Sequence, residues 1–78
     1  MTPTEFLTEL LIEKFDVPRE SIRSDADLAS LGIDSLSMIE LVFDVEDEFD
    51  IQFPEDVEFK TLGEAVALIE QLIAEQGG

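Results

Sequence analysis

Apolar residues recur at helical spacing in three separate blocks of this chain and alternate over no useful length, which confines it to folds built from helices. Thr2-Pro3-Thr4-Glu5 opens the first block with an N-cap residue, a Pro suited to the first helical position and a Glu placed to complete a capping box. Phe6, Leu7, Leu10, Leu11 and Phe15 follow, and Pro18 disfavours helix at the residue before it, so the spacing predicts a helix over about 3–15. The second block runs over 36–49 without Gly or Pro, with Asp34 or Ser35 as N-cap and a competing capping box from Ser37 to Glu40. Thr61 and Glu64 form a further capping box. Leu62, Ala65, Val66, Ile69, Leu72 and Ile73 then trace a last helix to about Glu75, beyond which Gln76-Gly77-Gly78 is expected to fray. A short helical turn is expected over 54–59. The prediction is one all-α domain over 1–78, a small bundle of three main helices plus one short helix.

Between the first two helices, 18–34 keeps neither period and is rich in Ser, Asp and Arg, with a lone Gly32. Ile22, Leu28, Leu31 and Ile33 punctuate it at intervals that would pin it to the core. An ordered connection is expected, and loops of this length are often functional.

Charge and missing residue types narrow the function. Twenty Asp plus Glu against four Lys plus Arg give a net charge of -16, while 45% apolar residues are too many for a disordered acidic tail. Such a surface repels phosphates, so nucleic acid and anionic membranes are poor partners and a basic protein patch is a good one. The absence of Cys and His excludes a disulfide framework, a thiolate nucleophile, a Cys/His zinc site and a Ser-His-Asp triad. No membrane-spanning run or signal-peptide start is visible, and a cytoplasmic chain is expected.

The second helix carries two apolar faces. At about 100° per residue, Met38, Leu41, Val42, Val45 and Phe49 share one arc, which is expected to be core. Leu36, Ile39 and Phe43 fall in another arc, with Glu40 and Asp47 on one side and Glu46 and Asp50 on the other. Burial under the long loop is the plain alternative for these three. Yet Asp44, Glu46, Asp47, Glu48 and Asp50 crowd into seven positions at a cost in stability, which points instead to a partner-binding face.

Ser35 sits where the long loop meets this helix. Helix N-termini favour phosphate, but the chain offers no base to activate a serine, so chemistry at Ser35 must come from another protein. Leu31-Gly32-Ile33-Asp34-Ser35-Leu36, followed by Glu40-Leu41-Val42 and Glu46-Asp47-Glu48-Phe49, resembles the acyl carrier proteins of fatty acid and polyketide synthesis over nearly the whole chain. The resemblance implies a non-catalytic carrier that bears 4'-phosphopantetheine on Ser35, between Asp34 and Leu36. A separate phosphopantetheinyl transferase would attach this arm, and its thiol would hold acyl groups as thioesters. It also implies that Asp34, Glu40, Glu46, Asp47 and Glu55 meet basic patches on acyl-transferring and synthase enzymes, and that Leu36, Ile39 and Phe43 make apolar contacts. A monomer is expected. Ser37 and Ser30 stand where the family usually has acids, and the stretch 55–61 is shortened; these departures bear on partner choice, not on the arm site.

Two rivals come from other classes. Asp44, Glu46, Glu48, Asp50, Gln52 and Glu55 occupy the ligand positions of an EF-hand calcium loop, but Phe49 stands where its sharp turn needs Gly, and no specific metal site is expected. The terminal Gly77-Gly78 matches ubiquitin-like and sulfur-carrier proteins, which belong to a β-rich fold that this sequence does not offer.

A bundle of this size draws only about 3 to 5 kcal/mol from its core, so self-repulsion of the net charge should limit stability. Added salt is expected to raise the melting temperature, and a flat or falling one in salt-dependent melts would show that local pairing already compensates the carboxylates. Crowding is also expected to raise carboxylate pKa values, so that stability increases as pH falls from 7.

Overall fold

The computed structural model describes residues 1–55 and 58–77. Its elements are α1 (Pro3–Glu13), a 3-10 turn (Arg19–Ser21), α2 (Ser35–Phe49) and α3 (Leu62–Leu72), which runs on into a π-helical turn (Ile73–Gly77). Local chemistry starts each helix. Thr2 and Glu5 close a full capping box on α1, as Thr61 and Glu64 do on α3. Asp34 caps α2, and the Ser37 N–H, which the competing box would have used otherwise, donates to its Oδ1 at 2.8 Å. Left-handed aspartates follow α1 and α2: Asp16 has φ 60° and Asp50 has φ 55°. The first of these explains why α1 stops at Glu13, short of the expected Phe15, with Lys14 as C-cap.

Among the described residues the core is Leu7 and Leu11 of α1, Leu41 and Val45 of α2, four residues of α3, and Val17, Leu28, Ile33 and Ile51 from the connections. Loops therefore supply a third of it. At about 1.5 to 3 kcal/mol for each fully buried aliphatic side chain, the connections contribute as a helix does. Phe6 of α1 meets Phe49 of α2 edge to face at 5.5 Å, which closes the bundle at the C-terminal end of α2.

The long connection is ordered because α3 gives it hydrogen bonds. Leu62 and Gly63 lie in the first turn of α3, where N–H groups have no acceptor within the helix. They donate instead to Ala26 O at 3.0 Å and Ser24 O at 2.7 Å, while the Leu28 N–H donates to Lys60 O at 2.8 Å. A Cβ on residue 63 would stand 2.8 Å from Ser24 Oγ and 2.9 Å from its carbonyl oxygen, so this approach requires Gly63. Leu28 and Ile33 are buried, and Ile22 and Leu31 half-buried, as their spacing predicts.

The short turn expected over 54–59 falls on Asp56 and Val57, which lie outside the described residues, and the short helical element is the 3-10 turn of the long connection. At the other end Gln76 is not frayed. Its Oε1 accepts the Gln52 N–H at 2.8 Å, and its Nε2 donates to Gln52 O at 2.9 Å.

The caps carry a pH dependence of their own, opposite in sign to that expected of the crowded acids of α2. Glu5, Asp34 and Glu64 all lie below the usual carboxylate range, first because the backbone N–H groups of Thr2, Ser37 and Lys60, respectively, donate to them. The native state therefore binds fewer protons than the unfolded chain at these groups. Their contribution is complete above the ordinary carboxylate pKa of about 4 and is lost as pH falls through the depressed values. Thermal melts followed from pH 5 to pH 3 by circular dichroism (about 4 being the pivot) should show a falling melting temperature. Glu64→Gln should flatten that acid limb; a melting temperature that climbs throughout would mean that relief of repulsion dominates instead.

Candidate functional site

The approach to Ser35 is built from one tight turn. Gly32 has φ +94°, and the Gly32 and Ile33 N–H groups donate to Ala29 O and Leu28 O at 3.1 Å each, the paired bonds of a Schellman turn. Buried Ile33 then anchors the chain, Asp34 caps α2, and Ser35 emerges exposed as the first helical residue. Ser35 is thus not the cap itself. The cap carboxylate accepts the Ser37 N–H and is also stabilised by that of Leu36, while the first intrahelical bond runs from the Met38 N–H to Asp34 O. The hydroxyl accordingly stands at the positive end of a fifteen-residue helix.

Down α2 the two arcs separate as the period requires. Leu41 and Val45 are buried, with Met38, Val42 and Phe49 half-buried beside them, whereas Leu36, Ile39 and Phe43 are 68%, 51% and 63% exposed. The long connection does not cover them.

The acids divide. Glu40 and Asp47 are exposed along one edge of this stripe, and Glu55 is exposed beyond the other. Asp44 pairs with Lys14 of the α1 C-cap at 2.6 Å. Glu46, expected on the rim, is half-buried and accepts the Phe53 N–H at 2.7 Å. Ile39, Phe43 and Glu46 face Phe53, Pro54 and Glu55 across an open cleft of about 300 Å³. Periodicity cannot find these partners. Only the positive φ of Gly32 had a local signal, a lone Gly just before an N-cap.

The rival folds do not match. Asp44 to Phe49, half of the supposed calcium loop, is continuous helix, and the chain is helical where a ubiquitin-like fold needs strands. No described helix is long and apolar enough to cross a membrane.

A small helical platform that presents one hydroxyl at a helix N-terminus, above an exposed apolar stripe with an acidic edge, has the form of a carrier and not of a catalyst. Residues 5–69 match the family model described as the phosphopantetheine attachment site. The chain is 39% identical to the acyl carrier protein of Azobacteroides pseudotrichonymphae over 86% of its length and 84% of that protein. It is 36% identical to that of Amoebophilus asiaticus, over 90% and 91%, and 30% identical to that of Streptococcus thermophilus, over 91% and 96%. The chain belongs to the acyl carrier protein family. It is a non-catalytic carrier with a phosphopantetheine attachment site, modified by a phosphopantetheinyl transferase.

Exposure of the stripe has a direct consequence for stability. Phe43→Ala should change unfolding free energy by no more than about 0.5 kcal/mol in denaturant titrations, as surface substitutions do. A loss of about 3 to 5 kcal/mol would return Phe43 to the core.

Proposed function

We propose that Ser35 bears the phosphopantetheine arm, and that the 1–78 domain carries acyl thioesters on it as a monomeric, cytoplasmic component of fatty acid, polyketide or related lipid synthesis. The observation that carries this reading is the exposed Ser35 hydroxyl at the N-terminus of α2. The arm fits there. Its phosphodiester would sit at the N-terminus of α2, where the helix dipole favours an anion. When bound, the arm supplies the thiol that this chain lacks.

Transfer joins Ser35 Oγ to the phosphorus of the arm, breaks the pyrophosphate linkage of coenzyme A with release of adenosine 3',5'-bisphosphate, and frees the hydroxyl proton. Asp34 is poorly suited to take that proton, because its carboxylate accepts the Ser37 N–H and is held below the usual carboxylate range. The transferase must therefore provide the base. Partner enzymes would dock across Leu36, Ile39 and Phe43, with basic residues along the Glu40 and Asp47 edge and near Glu55 and Asp34, and nucleic acid would be repelled by the net charge.

Intact mass after incubation with coenzyme A and a phosphopantetheinyl transferase tests this. The wild type should gain the arm and Ser35→Ala should not. Glu40→Lys and Asp47→Lys should lower kcat/KM for transfer most at low salt, since rim charges act chiefly on encounter. An Ala variant that still gained the arm would sink the assignment of Ser35.

A further inference from the structure

Glu46 occupies the docking helix, but one of its oxygens is committed within the fold. Beyond the left-handed turn at Asp50, Glu46 Oε2 accepts the Phe53 N–H at 2.7 Å. One residue earlier, the Gln52 N–H and carbonyl are both taken by the Gln76 side chain, at 2.8 and 2.9 Å. Two consecutive amides of a non-helical segment are thus held by side chains of α2 and of the C-terminal turn, with no sheet partner. Buried Ile51 anchors the start of the segment, and Phe53 packs edge to face on Phe59 at 6.2 Å. Phe53, Pro54 and Glu55 then form the wall of the cleft that faces Ile39 and Phe43.

We propose that Glu46 and Gln76 are positioning residues that fix segment 51–55 as the wall of the partner-facing cleft, so that the C-terminal turn shapes the docking surface without belonging to it. This rests on the reading that partners dock across Leu36, Ile39 and Phe43. Glu46 then acts as a hydrogen-bond acceptor and not as a rim charge, in contrast to what the resemblance implies for its position. Gln in its place keeps an acceptor oxygen and loses the charge; Ala loses both.

The test combines amide hydrogen exchange of the intact protein with the kinetics of arm transfer from coenzyme A by a phosphopantetheinyl transferase. Glu46→Ala should speed exchange at Phe53, and Gln76→Ala at Gln52, each about tenfold or more, as loss of a fixed hydrogen bond implies. Both variants should raise KM for the carrier about threefold or more with kcat unchanged, the signature of lost uniform binding. Glu46→Gln should stay near wild type in both measurements. Equal KM defects in Glu46→Gln and Glu46→Ala would overturn the proposal in favour of a charge role. Faster exchange with unchanged KM would overturn it by separating the wall from docking, and unchanged exchange would show that the two side chains do not hold the segment. Should Glu46→Ala fail to fold, Gln76→Ala, at an exposed end, decides by the same two readouts. A wild type that never gained the arm would sink the Ser35 reading instead, and a surviving wall would then have to be sought by exchange alone, with unchanged rates overturning it and faster rates supporting it.

Discussion

The first turn of α3 has N–H groups that its own helix cannot use, and the long connection after α1 supplies their acceptors. Leu62 and Gly63 bond to Ala26 and Ser24, and Leu28 bonds back to Lys60. Ordering a connection of this length costs about 1 to 2 kcal/mol of backbone entropy per residue, which scattered apolar anchors alone would offset poorly. Once Leu28 is fixed, its carbonyl accepts the N–H groups of Leu31 and Ile33, the Gly32 turn closes, and Asp34 arrives where it can cap α2. Ser35 is therefore held in place from α3, an element distant in sequence. Gly63 is as necessary to this as Gly32, since a Cβ there would meet the Ser24 backbone.

An acidic chain of this size has to divide its carboxylates between holding the fold and facing outward. Glu5, Asp34 and Glu64 accept backbone N–H groups at helix starts, where the helix dipole favours negative charge. Glu46 does the same for a loop, and Asp44 meets Lys14. Glu40 and Asp47, by contrast, remain exposed beside the bare apolar stripe. Among the described residues only two ion pairs form, and the second, Arg23 with Asp25 at 4.0 Å, is largely exposed. Most of the net charge is left without a counter-charge and repels itself.

Helical period and capping chemistry are local, and what depends on them was legible in the sequence. The capping boxes at Thr2 and Thr61, the buried arc through Leu41 and Val45 and the bare arc through Leu36, Ile39 and Phe43 stand where a rotation of about 100° per residue puts them. The limits of this reading also have local causes. A periodic pattern cannot register that Asp16 turns left-handed, so α1 ends at Glu13 although Phe15 continues the apolar spacing.

By itself the sequence determined the class of fold, the seam where Ser35 joins loop to helix, and that α2 carries a second apolar arc apart from its core-facing one. Tertiary structure decided which carboxylates are spent, because that depends on groups far apart along the chain: Lys14 and Asp44 are 30 residues apart, and Gln52 and Gln76 are 24 apart. Hydrogen-bond donors and acceptors carry no periodic signature, and a Glu that caps a loop is spelled like one that faces solvent. Only packing, which brings Phe53 back to within 2.7 Å of Glu46, distinguishes them.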